Sequence, residues 1–399
     1  MRHVGIIGAN VAGFGVARGL RDAGYDGRIT LFDRDREAMI DRPALSKSSL
    51  FAGTPPPPIP GSEALDLLGV TFELAEVCAL EPHGPAIHLA DGSRVDCDAV
   101  ALCTGADAKR PEWLSSLGPN GRHVLRSAAD ARALSRALEE ARHVAVIGGG
   151  LIGMEAAATI RMRGIDVTVI EAQPAPMMRA FGEACGRHVA AIHRKYGVAL
   201  KLETKIRDVA VIPRGIALEC GDGDRVEADF AIAALGSVPR TALAVAAGLA
   251  TADGIIVDAF GRTSAPRVFA AGDVARYPAS GGLTRSENIQ HGFRHGFAVG
   301  RTIAGQAAPY SEIQTYWSDQ FECTIQACGS IDGTPTVIRE EEGRFIAFWQ
   351  DGPALAGVVA IDSGGEIAAA RRMIERRVPL DTAALVRGVS LRELARARA

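Results

Sequence analysis

The chain has 399 residues, 47% of them hydrophobic, enough to bury two or three domain cores. A net charge of −3 offers no electrostatic case for nucleic acid. No apolar run is long enough to span a bilayer, and a strand from Val4 to Ile7 leaves no space for a secretory leader, so a cytoplasmic protein is expected.

The chain opens with HVGIIGANVAGFGVARGLRDAG, which reads as an apolar strand, a tight glycine turn at Gly8 and Gly13, a helix and a glycine stop at Gly24. The next strand ends in Asp33. RPALSK follows at Arg42 to Lys47, and the Pro55–Pro58 run reads as a rigid surface loop. DGSRVDCDAVALCTG, Asp91 to Gly105, is a turn and a strand closing on Thr104 and Gly105. A helix over SAADARALSRALEEAR leads to HVAVIGGGLIGMEAAATIRMRG. There Gly148, Gly153 and Gly164 repeat the offsets of Gly8, Gly13 and Gly24, and the second strand ends in Glu171. DGDRVEADFAIAALG, Asp222 to Gly236, repeats the earlier turn and strand. RTSAPRVFAAGDVAR then carries a buried strand, Val268 to Ala271, ending in Gly272–Asp273. That strand is expected to return to the first sheet, making the second nucleotide-binding domain an insertion within the first. From Pro309 the stretches YWSDQFECTIQACG, TPTVIRE and RFIAFWQ read as antiparallel strands and AAARRMIERRV as an amphipathic helix.

The expected fold is therefore α/β. Two Rossmann-like domains occupy residues 1–109 with 237–308, and 110–236, followed by a small α+β domain at 309–399. Two dinucleotide sites in one chain point to electron transfer between a flavin and a nicotinamide. In the second copy Gly148 permits the turn, Gly150 lets backbone approach the pyrophosphate and Gly153 lets the helix pack; Leu151 and Ile152 begin that helix. Glu171 is placed for the adenosine ribose hydroxyls, where a 2′-phosphate would meet a like charge, so NADH is favoured over NADPH. Arg179 is either a rescue for NADPH or an ordinary surface arginine. In the first copy Asn10 replaces the second glycine, as a donor able to lie over a pyrophosphate, and Asp33 stands at the ribose position.

Lys47 and Glu155 either bridge the two cofactors or are a solvated lysine and a glutamate favoured by its helix dipole. The seven cysteines are odd in number and scattered, which fits reduced thiols. Cys323 and Cys328 sit at an odd spacing in a strand-like stretch and read as filler, so no metal site is expected.

RPALSK, the CTG and LRSAADA segments, IGGGLIGMEAA, ALGSVP, TSAPRVFAAGDVAR, YWSDQ and ARRMIERRVPLDTAAL resemble the FAD-dependent ferredoxin reductases of bacterial oxygenase systems. The resemblance runs the whole length and implies a glutathione-reductase-like fold. It implies FAD contacts at Ala12, Asp33 or Arg34, Arg42, Lys47, Val77, Arg126 and Asp273, in the loops that also hold Gly105, Gly236 and Gly272. It places Trp317 against the flavin and Lys47 with Glu155 at the flavin–nicotinamide junction. The family's E-x-W-x-N-A-x-x-Q-G run is altered to ENIQHGFRHG. Ile289 stands in the tryptophan place, and His291 and His295 replace amides as surface or packing residues. This segment is expected to start a helix aimed at the flavin.

The implied activity is transfer of electrons from NADH through FAD to a 2Fe–2S ferredoxin that feeds an oxygenase, by a monomer or homodimer. The alternatives are an NADH oxidase or an apoptosis-inducing-factor-like NADH-binding flavoprotein. The loop Leu45–Ser48 holds Lys47 and no thiol, which argues against disulfide reductases and peroxidases. An acidic ferredoxin would need a local basic face, with candidates at Arg301 and at Arg371, Arg372, Arg376 and Arg377. Arg372 and Arg376 are expected to share a helix face.

Overall fold

The computed structural model describes residues 1–279, 281–341 and 344–397. The chain forms two compact units. The first comprises Met1–Pro43, Pro56–Asp107 and Ser237–Glu312; the second comprises Ala44–Pro55, Ala108–Gly236 and Ile313–Ala399. Two groupings differ from the boundaries read in the sequence. The segment carrying Lys47 joins the second unit, and so does the C-terminal domain.

In the first unit a five-stranded sheet has the order Val268–Ala270, Ala99–Leu102, His3–Ile7, Arg28–Asp33, Val70–Leu74. All its pairings are parallel. Its strands are continuous apolar runs because both faces are covered. Ile6, Leu31 and Ala101 enter one buried cluster, while Ile7, Phe32 and Leu102 enter another. The strand after the second glycine domain does return to this sheet: Val268 pairs with Val100. On one face the helices Val11–Asp22 and Ile289–Ile303 touch almost backbone to backbone. A β-carbon on Gly19 would stand 2.1 Å from the Phe297 carbonyl oxygen, and one on Gly296 would stand 2.1 Å from that of Ala12.

The second unit repeats the plan. Its parallel sheet runs Ala199–Lys201, Asp166–Ile170, His143–Ile147, Phe230–Ala233, Arg122–His123. The repetition reaches single hydrogen bonds. His3 Nε2 meets Thr30 Oγ1 at 2.9 Å, and His143 Nε2 meets Thr168 Oγ1 at 2.9 Å. Asp98 accepts from the His3 amide at 2.8 Å, as Asp229 does from the His143 amide at 2.9 Å. The same unit contains an antiparallel sheet with the order Thr315–Gln320, Cys323–Gly329, Ala354–Ile361, Arg344–Asp351, Val337–Glu341. The helix Gly364–Glu375 buries Ala369, Ala370 and Met373 in its core.

Candidate active site

The two glycine turns have the same geometry, each within its own unit. Gly8 and Gly148 lie at φ of 115° and 101°, which L side chains rarely adopt. A β-carbon would stand 2.1 Å from the Cys103 carbonyl oxygen at Gly8 and 2.4 Å from that of Ala234 at Gly148. Added at Gly13 or Gly153, it would strike the carbonyl oxygen of Gly8 at 2.1 Å or of Gly148 at 2.0 Å. The strand-end acids also correspond. Asp33 accepts from the Ala9 amide at 2.8 Å and the Asp35 amide at 2.9 Å. Glu171 accepts from the Gly149 amide at 2.5 Å and the Gln173 amide at 2.8 Å. Arg34 is turned away to Glu76 at 3.0 Å, so Asp33 holds the place that Glu171 has in the second copy.

The turns part company at the helix start. Gly150 caps Leu151–Met162 with no side-chain bond, and a β-carbon there would meet open space. The first amides of that helix therefore form an uncapped donor set that fits a phosphate. Asn10 caps Val11–Asp22 instead: its Oδ1 accepts from the Ala12 amide at 2.9 Å and the Gly13 amide at 3.4 Å. Its Nδ2 donates to the Cys103 carbonyl at 2.5 Å. The Asn10 side chain is thus engaged with backbone on both its polar atoms, as short Asx side chains commonly are. Ala12 is buried beneath the turn, and the glycine–acid framework otherwise fits a dinucleotide.

The remaining candidates fall around these turns. In the first unit Thr104 Oγ1 donates to the Arg240 carbonyl at 2.8 Å, and Gly105 lies at φ 71° beside Asn10. Arg42 and Val77 are half-buried. In the second unit the Arg126 amide donates to Asp130 at 3.2 Å, and Gly236 faces open space. Ile152 is exposed on the helix start, and Arg179 is exposed near the start of Met178–Lys195.

Lys47 and Glu155 meet within the second unit. Lys47 Nζ is 3.5 Å from Glu155 Oε1 and 3.0 Å from Asp319 Oδ2. Glu155 is 5% exposed. Its Oε2 accepts from Ser46 Oγ at 2.5 Å and its Oε1 from Ser318 Oγ at 2.6 Å. Thr159 Oγ1 holds the Ser46 carbonyl at 2.7 Å. Burial raises the Glu155 pKa, and Lys47 with the two hydroxyls draws it back only in part. Behind Ser318, Gln320 Nε2 donates to Ser318 Oγ at 2.9 Å, and Gln320 Oε1 accepts from His193 Nε2 at 2.7 Å. Ser46, His193, Ser318, Asp319 and Gln320 were missed in the sequence. Alternation along Thr315–Gln320 separates Ser318 and Gln320 from half-buried Trp317 and exposed Asp319. No local pattern marks His193.

In the first unit Ile289 is the first residue of its helix, which Asn288 caps by accepting from the His291 amide at 2.7 Å. His291 and His295 are packing residues, both 0% exposed. His291 Nδ1 lies 2.9 Å from the Tyr310 hydroxyl and 3.2 Å from Glu312, which also binds Arg294 at 2.9 Å. His295 stacks on Tyr310 at 4.6 Å and accepts from the Gly272 amide at 3.3 Å, which steadies the Gly272–Asp273 turn. Burial and His291 lower the His295 pKa well below 6.5, so the ring is neutral and its Nδ1 is free to accept.

Among the described residues no cluster could hold a metal ion, and every cysteine is free. Burial raises the Cys97 thiol to about 11 and the Cys103 thiol to about 12, so neither is a thiolate at neutral pH.

Residues 2–296 match the family described as pyridine nucleotide-disulphide oxidoreductase. The chain belongs to that family. Residues 315–395 match a second model, described as reductase C-terminal. The biphenyl dioxygenase system ferredoxin–NAD(+) reductase component of Paraburkholderia xenovorans is 33% identical, over 99% of this chain and 98% of its own length. Rhodocoxin reductase of Rhodococcus erythropolis is 32% identical, over 94% of this chain and 90% of its own. Among solved structures, the covalent putidaredoxin reductase–putidaredoxin complex matches with a TM-score of 0.92 and 27% identity, covering 99% of this chain and 98% of that one. Leu45–Ser48 contains no cysteine, and Lys47 faces two carboxylates.

Proposed function

We propose that the chain is an NADH-dependent flavoprotein reductase that passes electrons through FAD to a 2Fe–2S ferredoxin supplying an oxygenase. The observation that carries this reading is the pairing of half-buried Lys47 with buried Glu155 beside the uncapped second glycine turn. The full-length likeness to ferredoxin–NAD(+) reductases of dioxygenase systems supports it.

When bound, the nicotinamide supplies a hydride and the flavin divides it into single electrons. The chain's residues bind, orient and charge the site. The amides from Leu151 hold the NAD pyrophosphate, and Glu171 takes the adenosine ribose hydroxyls. In the first unit the first turn with Asp33, Arg42, Val77 and Asp273 would hold FAD. His295 keeps Gly272 in place for it. Glu155 orients Lys47 on the nicotinamide side. No helix among the described residues is long and apolar enough to cross a membrane. A cytoplasmic monomer or homodimer agrees with the scattered free thiols.

The test compares reduction of a 2Fe–2S ferredoxin, followed anaerobically, with oxygen uptake in air, both driven by NADH through the FAD-loaded protein. Ferredoxin reduction well above oxygen reduction is the expected result. Rapid oxygen consumption with no ferredoxin reduction would make the protein an oxidase.

A further inference from the structure

We propose that Ser318, Gln320 and His193 are positioning residues that hold Glu155 in its charged form by a one-way hydrogen-bond relay. The inference rests on the reading of Glu155 given above and deepens it. The relay runs inside the second unit through buried groups. His193 Nδ1 has no partner among the described residues, and Nε2 faces the Gln320 oxygen at 2.7 Å, so the imidazole hydrogen lies on Nε2 and points to Gln320. The Gln320 oxygen is thereby committed as an acceptor, and its NH₂ group must donate onward. It does so to Ser318 Oγ at 2.9 Å and to Met177 Sδ at 3.1 Å. With one lone pair taken, the Ser318 hydroxyl turns its hydrogen to Glu155 Oε1 at 2.6 Å.

Every hydrogen in the chain points at Glu155, and Ser46 supplies another from the opposite side at 2.5 Å. A proton on Glu155 Oε1 would meet the Ser318 hydrogen, and one on Oε2 would meet the Ser46 hydrogen. If Ser318 turned to accept that proton, its own hydrogen would lose its acceptor, because Gln320 faces it with a donor. The relay therefore favours a carboxylate at a place where burial favours the neutral acid. The charged and titratable groups turned to Glu155 are Lys47 from the turn after Ser46, Asp319 from the strand, which reaches it through Lys47, and His193 through Gln320. Lys47 supplies charge, but at 3.5 Å and shared with Asp319 it cannot orient the carboxylate as two short hydroxyl bonds do.

The experiment uses the FAD-loaded protein without NADH and reads the infrared band of protonated carboxylic acids across pH. Ser318→Ala and Gln320→Leu should develop that band about one pH unit higher than the wild-type protein, a tenfold change in proton concentration. Adding Glu155→Gln should remove the shifted component and leave the band of the chain's other carboxyls. Ser318→Thr, which keeps the hydroxyl, should restore the wild-type position. The acidic limb of flavin reduction by NADH should move by the same interval, with FAD content unchanged. Superimposed infrared titrations for wild type, Ser318→Ala and Gln320→Leu would overturn the relay. An upward shift that Ser318→Thr fails to reverse would also overturn it. Because the band is read without NADH, it is separate from the test of Glu155 in hydride transfer. If Glu155→Gln reduces as fast as wild type while the band still shifts, the nicotinamide role fails and the relay stands.

Discussion

The Asn10 side-chain amide donates to the Cys103 carbonyl at 2.5 Å while its oxygen caps the first glycine-turn helix. One side chain thus closes the turn onto the neighbouring strand end and satisfies two helix amides. Asn10→Ala should destabilise the protein by about 1–2 kcal/mol, read in chemical denaturation of the FAD-free protein. Asn10→Asp should keep the cap but weaken FAD binding by about tenfold or more, because it sets a carboxylate beside the phosphates. Unchanged FAD titrations for Asn10→Asp would place the phosphates elsewhere.

Coenzyme choice should follow Glu171. NADH should exceed NADPH in kcat/KM by about 30- to 150-fold, the equivalent of about 2–3 kcal/mol from a lost polar pair and a like-charge contact. Glu171→Gln should narrow that ratio without loosening the turn, since the amide oxygen can still accept from the Gly149 backbone. Equal specificity constants in the wild-type protein would remove Glu171 from the ribose site.

At the buried pair, Glu155→Ala should slow flavin reduction by about tenfold to hundredfold with FAD retained. Lys47→Ala should slow reduction and loosen FAD as well. Asp319 alone remains for Lys47 in the first variant, and it is exposed. Anaerobic stopped-flow traces that match wild type for both would return these residues to a packing role.

Acid should unfold the protein partly through His193. Its burial lowers the folded-state pKa to about 4 from the ordinary 6.5, against the Gln320 bond, which raises it. Between those values the unfolded chain binds the extra proton, so stability falls as pH drops. The loss should start below pH 6.5 and reach about 3 kcal/mol by pH 4. His193→Phe should flatten that part of the profile, measured by denaturant midpoints across pH. A slope equal to wild type would assign the acid loss to other groups.

The basic cluster is smaller than its sequence suggests. The helix Gly364–Glu375 is capped by Arg376, whose amide donates to the Arg372 carbonyl at 3.1 Å one turn back, and Arg377 leaves the helix at φ 49°. Arg371 binds Glu375 at 3.1 Å, and Arg301 binds Asp22. Exposed Arg377 stays beside Arg372 and Arg376, the exposed pair that remains for an acidic ferredoxin. Reversing both charges should raise the ferredoxin concentration at half-maximal turnover, and salt should do the same, since screening shortens to about 8 Å at physiological ionic strength. Ferricyanide reduction, which needs no docking, should not change. Turnover indifferent to both would move the exit elsewhere.

Local backbone rules made much of this fold legible before any contact was known. The glycines at Gly8, Gly13, Gly148 and Gly153 are demanded by turn geometry within a few residues, and the strand-end acids follow at fixed spacing. Lys47 and Glu155 stood out by their place in short motifs, and Trp317 only through the family resemblance. What those side chains touch was decided only by tertiary structure. Asn10 spends its amide on Cys103, 93 residues away, and Glu155 meets Ser318, 163 residues away. His193 and Gln320, joined across 127 residues, carry no local pattern that predicts their bond. Sequence spacing governs turns and helix faces over a few residues. The partner of a buried polar group is set by whichever element the finished core brings within hydrogen-bond reach, because that group cannot be left without one.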